Sequence, residues 1–480
     1  MYHNTFGDSS PAPTTLLDTQ RAMLRQLRSA ILQRYRPHLQ EGAGPIRVMA
    51  RIVSELEQEC RKRNIEEEVI RSEIMNRTIG DVNLRLVTEY EGEMGGPGDY
   101  RRLADEMGVA LPNEQLCNYI ATGETYLWLR AQMMECERLL LANRYDPRMY
   151  DIYGTGNPLL RSWLACEMQQ WGISVQVEQV YLGLGAMDSI DKVLRGLMHI
   201  YRAQGIADVA VLFPEPGFLV PEWQARSYGY RIHSYPTLPE HRFKLTGEQL
   251  DQILQANPDI RIIYLMVTNN PTTFAYTPDE LNAIHAVLEK YRSSGRTIHT
   301  LADLAYIGTG KPEEDRARMA TFTPPDIVQQ TIFVCSFSKT HSLTGERFGW
   351  VTCGDPHIAS EIAVCWANSM ASLPGEWQLR FMAYYRLLQE RPWLAEKMRA
   401  FYRFRRTRLI EQLRQLNETT HLFAEIYIDD DATVYNWSKL QAGEDALSVF
   451  EQIGIAGVPG SGFGYSDDYI RFSVGVIPIP

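Results

Sequence analysis

The chain is 480 residues long, too long for one simple core, so two or three domains are expected. Its 45% hydrophobic and 22% charged content is ordinary for a globular enzyme that lives in water, and no apolar run approaches membrane-spanning length. A net charge of −11 argues against general nucleic-acid affinity, because duplex binding needs cations to neutralise phosphates.

The first fifteen or so residues are rich in Ser, Pro and Thr and read as a loose tail with no basic-then-apolar leader. Thr15 to Leu39 carries leucine and alanine at helical spacing. Ile46 to Asn76 repeats the pattern, with Ile46, Met49, Ile52, Val53 and Leu56 on one face and Glu and Arg between them. Gly95-Gly96-Pro97-Gly98 breaks it, and a short helix is predicted at Tyr100 to Met107. Residues 1–115 are therefore assigned to a helical N-terminal extension.

Beyond it the texture alternates between short apolar runs and longer helical stretches, which predicts an α/β fold with a mainly parallel seven-stranded sheet. The strands are expected at Gln179–Leu184, Val209–Phe213, Arg231–Tyr235, Arg261–Val267, Thr297–Ala302, Thr331–Cys335 and Phe348–Thr352. Several are apolar throughout, as strands covered on both faces must be. From Ala367 to about Asn417 the pattern is helical, then mixed, which predicts a smaller α+β domain. The division is a large domain at 155–365 and a small domain from 116–154 and 366–480. The seven cysteines are dispersed without CxxC or metal-ligand spacing; they read as reduced thiols of a cytoplasmic protein without a metal site.

Chemistry-bearing residues fall at the ends of the predicted strands, where open α/β sheets bind ligands. Leu182-Gly183-Leu184-Gly185-Ala186-Met187-Asp188 turns from a strand into a helix, and such a helix start suits a phosphate. Asp188 stands where a dinucleotide-binding turn would have its third glycine, which counts against that alternative. Ser336-Phe337-Ser338-Lys339 leaves another strand, with Gly345-Glu346-Arg347-Phe348-Gly349 close behind. A lysine between hydroxyls and an arginine suits an amine that forms a Schiff base beside a phosphate.

Taken in order, these stretches resemble the class I/II aminotransferases, the fold type I enzymes of pyridoxal 5′-phosphate (PLP). The resemblance runs from about residue 117 to 475. It implies that Lys339 holds the cofactor as a Schiff base, with Ser336, Ser338 and Arg347 on its phosphate together with the turn Gly185, Ala186 and Met187. In Pro214-Glu215-Pro216-Gly217-Phe218, Phe218 matches the ring that stacks on the pyridine. In Asn269-Asn270-Pro271-Thr272-Thr273, Asn270 matches the residue that bonds the cofactor's phenolic oxygen and lies beside the substrate. Thr273 stands where the family has glycine, a departure that bears on the turn, since Thr tolerates positive φ poorly. Asp303-Leu304-Ala305-Tyr306 matches the segment whose Asp keeps the pyridine nitrogen protonated and whose Tyr donates to the phenolic oxygen.

On the substrate side, Arg471 follows the loop Val458-Pro459-Gly460-Ser461-Gly462-Phe463-Gly464 and matches the arginine that binds the α-carboxylate. Gly123, in Ala121-Thr122-Gly123-Glu124, resembles the family's Gly-Glu loop, which offers a backbone amide to that carboxylate. Gly156-Asn157-Pro158-Leu159-Leu160-Arg161 resembles a landmark of the family, and Tyr153 or Tyr150 stands where a tyrosine reaches the neighbouring subunit's phosphate. The resemblance thus implies a homodimer that moves an amino group between an α-amino acid and a 2-oxo acid.

Two rivals remain open. One keeps the fold and cofactor but changes the reaction to that of a decarboxylase, a β- or γ-lyase, a cyclase or an oxidase. The other is a transcription regulator with an aminotransferase-like domain; the 15 Lys/Arg against 18 Asp/Glu of residues 1–115 weigh against a duplex reader there.

Overall fold

In the computed structural model of the protein, the described residues are 16–39, 44–80, 123–428 and 434–474. The glycine break at 95–98 and the helix expected at 100–107 lie outside them. All seven expected strands form, in one sheet: β1 (Val180–Leu184), β2 (Ala210–Glu215), β3 (Arg231–Pro236), β4 (Ile260–Met266), β5 (His299–Asp303), β6 (Thr331–Ser336) and β7 (Phe348–Cys353). Their order across the sheet is β1-β7-β6-β5-β4-β2-β3. Strand β7 alone runs against its neighbours β1 and β6, and the other adjacent pairs are parallel. Every residue of β5, β6 and β7 is buried, as strands covered on both faces must be.

This direction of β7 matters for the site. Its first residues pair with the last residues of its neighbours, Phe348 with Leu184 and Gly349 with Ser336. The turn after β1, the turn after β6 and the approach to β7 therefore converge on one edge of the sheet.

The helical stretch after residue 355 forms Pro356–Met370, Gly375–Glu390 and Trp393–Thr420. A four-stranded antiparallel sheet follows, made of β8 (Phe423–Ile426), β9 (Tyr435–Leu440), β10 (Val458–Pro459) and β11 (Tyr469–Ser473) in the order β10-β11-β9-β8. The loop at 460–465 docks on the ends of β2 and β3. Gly217 N–H donates to the Phe463 carbonyl (3.0 Å) and the Tyr465 hydroxyl to the Thr237 carbonyl (2.8 Å).

The N-terminal periodicity resolves into helices Leu16–Tyr35, Pro45–Lys62 and Glu67–Glu73. The single run expected to Asn76 is divided at Asn64, whose backbone is left-handed (φ 54°) and ends the helix pattern. Val48, Met49, Ile52, Val53, Leu56 and Cys60 are buried along the second helix. They share one cluster with Leu447, Phe450 and Ala456 from the C-terminal part of the chain. Past the third helix, Met75–Asn76 pairs in parallel with Ile455–Ala456, and Ser473 N–H donates to the Arg77 carbonyl (2.8 Å). The end of the extension is thereby laid alongside β11 and directed toward the edge where the turns converge.

Candidate active site

The turn after β6 is organised by its hydroxyls. Ser336 caps the short helical turn Phe337–Thr340: its Oγ accepts from Ser338 N–H at 3.0 Å. The same Oγ lies 2.8 Å from Ser338 Oγ and 3.0 Å from the Phe348 carbonyl, and both serines are buried. Lys339 emerges from this turn and donates its Nζ hydrogen bond to the carbonyl of Gly80.

Opposite, Gly185 precedes the helix Ala186–Ala203 with φ 81°, a conformation that favours glycine. Arg347 lies against it so closely that a Cβ on Gly185 would stand 2.5 Å from Arg347 Nη2. Gly349 permits this approach, since its own Cβ would stand 2.7 Å from the Gly185 carbonyl carbon. Arg347 is itself left-handed (φ 59°) and donates through Nη1 to the Thr344 carbonyl at 3.0 Å. A guanidinium, two buried hydroxyls and a helix start thus share one corner, a chemistry suited to a phosphate. Within that first helical turn Met187 keeps its carbonyl bonded to Gln224 (3.0 Å).

Asp303 ends β5, 4% exposed, with Oδ2 accepting from the Tyr264 hydroxyl (2.7 Å) and Oδ1 from Ala305 N–H (2.9 Å). Burial pushes its carboxyl above the usual range, and those two bonds offset only part of that. A cationic ring nitrogen is the kind of partner that would return it to the charged form.

Arg471, on β11, is 3% exposed. Its Nη1 donates to Asn270 Oδ1 (2.9 Å) and its Nη2 to the Thr78 carbonyl (2.6 Å). Its guanidinium carbon lies 4.2 Å from the centre of the Tyr435 ring and 4.7 Å from that of Phe463. Burial pulls this guanidinium below its ordinary range, with Tyr435 and Tyr306 opposing the pull. The Tyr306 and Tyr435 hydroxyls are 3.2 Å apart.

Asn270 and Tyr306 therefore share the Arg471 cluster, Lys339 meets it through Gly80 and Tyr435, and Arg347 and the serines meet at Gly185 and β7. Thr273 adopts the left-handed backbone (φ 65°) that its position demands, although it is not glycine. Phe218 is half-buried against the main core. Tyr150 and Tyr153 are 71% and 69% exposed and project from this protomer. Gly123 opens the helix Gly123–Ala142; the glycine that faces Lys339 is Gly80, from the extension, which sequence reading left without a motif.

Sequence reading also missed Thr78, Tyr264 and Tyr435. Tyr264 had a signal: a phenol in an otherwise apolar, buried strand must find a hydrogen-bond partner. Thr78 and Gly80 had none, because their partners lie hundreds of positions away.

The profile of the family described as aminotransferase class I and II matches residues 133–477. The chain belongs to that family. A probable aspartate/prephenate aminotransferase of Aquifex aeolicus is 27% identical over 55% of this chain and 64% of its own length. An aspartate aminotransferase of Geobacillus stearothermophilus is 26% identical over 55% and 65%. The chain thus spans under two thirds of the length of these two class I/II aminotransferases. Among solved structures, the aspartate aminotransferase of Thermus thermophilus with maleate superposes with a TM-score of 0.62 at 18% identity, over 88% of this chain and 91% of that one. An archaeal alanine:glyoxylate aminotransferase gives 0.62 at 16% identity, over 91% of both. At that identity the likeness is one of fold, and it agrees with the expected fold type I architecture of the aminotransferases.

Proposed function

We propose that the protein is a PLP-dependent aminotransferase that moves an amino group between an α-amino acid and a 2-oxo acid. The observation that carries this reading is the pairing of Lys339, at the end of β6, with buried Arg471 through the Gly80–Tyr435 contact, in a family defined by amino transfer. PLP, when bound, supplies an electron sink for charge developing at the substrate Cα.

The chain's own residues would do the rest. Arg347, Ser336, Ser338 and the amides from Gly185 to Met187 would hold the phosphate. Phe218 would lie on the ring, Asp303 would pair with its nitrogen, and Asn270 and Tyr306 would bond its phenolic oxygen. Arg471 would take the α-carboxylate in a two-pronged contact and so fix which Cα bond faces the ring. The Lys339 amine would take the proton from the substrate Cα. Gly123 would offer an amide to the carboxylate from the start of its helix.

A homodimer is part of the same proposal. Met149, Tyr150, Ile152 and Tyr153 form an exposed, largely apolar run, more than isolated surface residues present, and a second copy would cover it and receive Tyr153. Cytoplasmic residence and independence from nucleic acid belong to the same proposal, supported by the net charge of −11 and the dispersed thiols; among the described residues no helix is long and apolar enough to cross a membrane.

The test is to load the purified protein with PLP and screen amino acids. Visible absorbance, one 2-oxo acid released per cofactor and a pyridoxamine form are expected, and Lys339→Ala should abolish turnover. Release of ammonia, carbon dioxide or peroxide in place of these products would move the assignment to another reaction of the same cofactor. A protein that stays colourless would remove the assignment altogether.

A further inference from the structure

Tyr435 is absorbed by none of the roles above, yet it touches two of the groups that have one, Tyr306 and Arg471. It is the first residue of β9, paired across the sheet with Ser473, two residues from Arg471. Its hydroxyl is 3.2 Å from that of Tyr306, its ring lies 4.2 Å from the Arg471 guanidinium carbon, and the phenol is 3% exposed. Gly80 is pressed against it: a Cβ there would stand 2.0 Å from the Tyr435 oxygen. The charged and titratable groups facing this phenol are Lys339, Arg471 and Tyr306, with Asp303 acting on Tyr306 from behind.

We propose that Tyr435 is a positioning residue which, by bonding Tyr306 and backing Arg471, holds the carboxylate anchor and the lysine side of the site in one geometry. The proposal rests on the reading of the site as an aminotransferase's, but its first consequence can be observed without cofactor or substrate. Among the described residues Arg471 meets no carboxylate; it is met by two neutral acceptors and two ring faces. A buried cation so placed is held by cation–π and dipole interactions, and the Tyr435 ring is the nearer of its two faces. Lys339 and Arg471 both act on the phenol of the same ring. Burial works against ionising this phenol, but Lys339 and Arg471 outweigh it, and the net direction is down from the usual tyrosine range, while burial drives Tyr306 up. The two hydroxyls bond each other, and either can donate. That contact holds the Tyr306 hydroxyl in place before any ligand arrives. Gly80 completes the arrangement, since any side chain there would push the phenol away from both partners.

The test uses Tyr435→Phe, which keeps the ring over Arg471 and removes the oxygen, with Tyr306→Phe as the second variant. The full-length protein without cofactor is titrated with base and followed by its ultraviolet tyrosinate absorbance. Wild type should show a tyrosine that ionises before the main phenol transition; Tyr435→Phe should lose that step and Tyr306→Phe should keep it. With PLP and the best amino acid of the screen, Tyr435→Phe should raise KM about tenfold while kcat changes less than about threefold, as expected when one hydrogen bond that orients a binding group is lost. An early step that persists in Tyr435→Phe, or a KM left unchanged, would overturn the proposal. Loss of the early step in a protein that turns over no amino acid would instead leave the hydroxyl network standing and overturn the reaction assigned above.

Discussion

Gly349 and Gly185 are worth more to this site than their size suggests, because two backbones and a guanidinium pass through the space their missing side chains leave. In Gly349→Ala the new methyl would meet the Gly185 backbone at 2.7 and 2.8 Å, contacts that no rotamer change can relieve. The turn after β1 would part from β7 and take the phosphate corner with it. PLP affinity is expected to fall about ten- to a hundredfold, the worth of a charge-assisted hydrogen bond. A cofactor titration followed in the visible range measures this, and unaltered affinity would count against Arg347 and Gly185 sharing the phosphate. Thr273 makes the complementary point. The sequence shows a residue ill-suited to positive φ, and the structure holds it there at about 1–2 kcal/mol of backbone cost. Its neighbours hold it in place: Thr273 N–H donates to the Asn269 carbonyl (2.9 Å) and its hydroxyl to that of Thr272 (2.6 Å). The residues that the sequence singled out (Lys339, Asp303, Asn270, Arg347, Arg471) sit beside strand ends or in short motifs, where local spacing sets them apart. Tyr435 and Gly80 were not legible. Lys339 and Gly80 are 259 positions apart, and Arg471 and Thr78 are 393, so no window of sequence holds both members of either pair.

At the scale of elements, the three N-terminal helices act as a brace for the C-terminal part. The amphipathic stripe was visible in the spacing of Met49, Ile52, Val53 and Leu56, but its destination was not, because a stripe states that a face is buried and not against what. It is buried against Leu447, Phe450 and Ala456. Arg28 ties the same elements together by donating to the carbonyls of Glu73 (2.8 Å) and Glu451 (2.9 Å). Ile52 is 0% exposed in that cluster. Ile52→Ala is expected to cost about 2–5 kcal/mol, the usual range for emptying a packed core position. Denaturant unfolding would report it, and a loss below about 0.5 kcal/mol would mean that these helices are not part of the cooperative core. The strands of the large sheet, by contrast, were found in the sequence to within a residue or two. An unbroken apolar run bounded by turn residues has few other places to go.

For the whole molecule, a third contact joins the two hydrogen bonds that link the large sheet to the loop preceding Arg471. Glu215 ends β2, and a Cβ on Gly464 would stand 2.5 Å from Glu215 Oε1. Burial pushes this carboxyl up to about 7, against the pull of its hydrogen bond with Ser234, and the neighbouring Glu222 adds a lesser push. A folded-state value above the unfolded one means that its favourable contribution is complete at low pH. That contribution is lost as pH rises from about 4.5 to about 7, because the chain must then either ionise a half-buried acid or bind a proton from a dilute pool. Glu215→Gln never ionises, so its thermal stability should gain on wild type across that interval and level off above it. Melting curves of the two proteins at pH 4, 6 and 8 decide the matter; a constant difference would mean that Glu215 does not feel its surroundings.

What the amino-acid order alone determined was the set of local preferences: the apolar runs, the helical stripes and the motifs that mark one edge of a parallel sheet. These depend on neighbours within a turn or a strand, so periodicity and spacing suffice to read them. Only the tertiary structure decided which distant pieces complete that edge. It brought Thr78 and Gly80 to Arg471 and Lys339, set Tyr435 beside Tyr306, and gave the N-terminal helices a surface to cover. Such contacts are selected by packing and charge among segments far apart along the chain, and no local pattern encodes which partner each will meet.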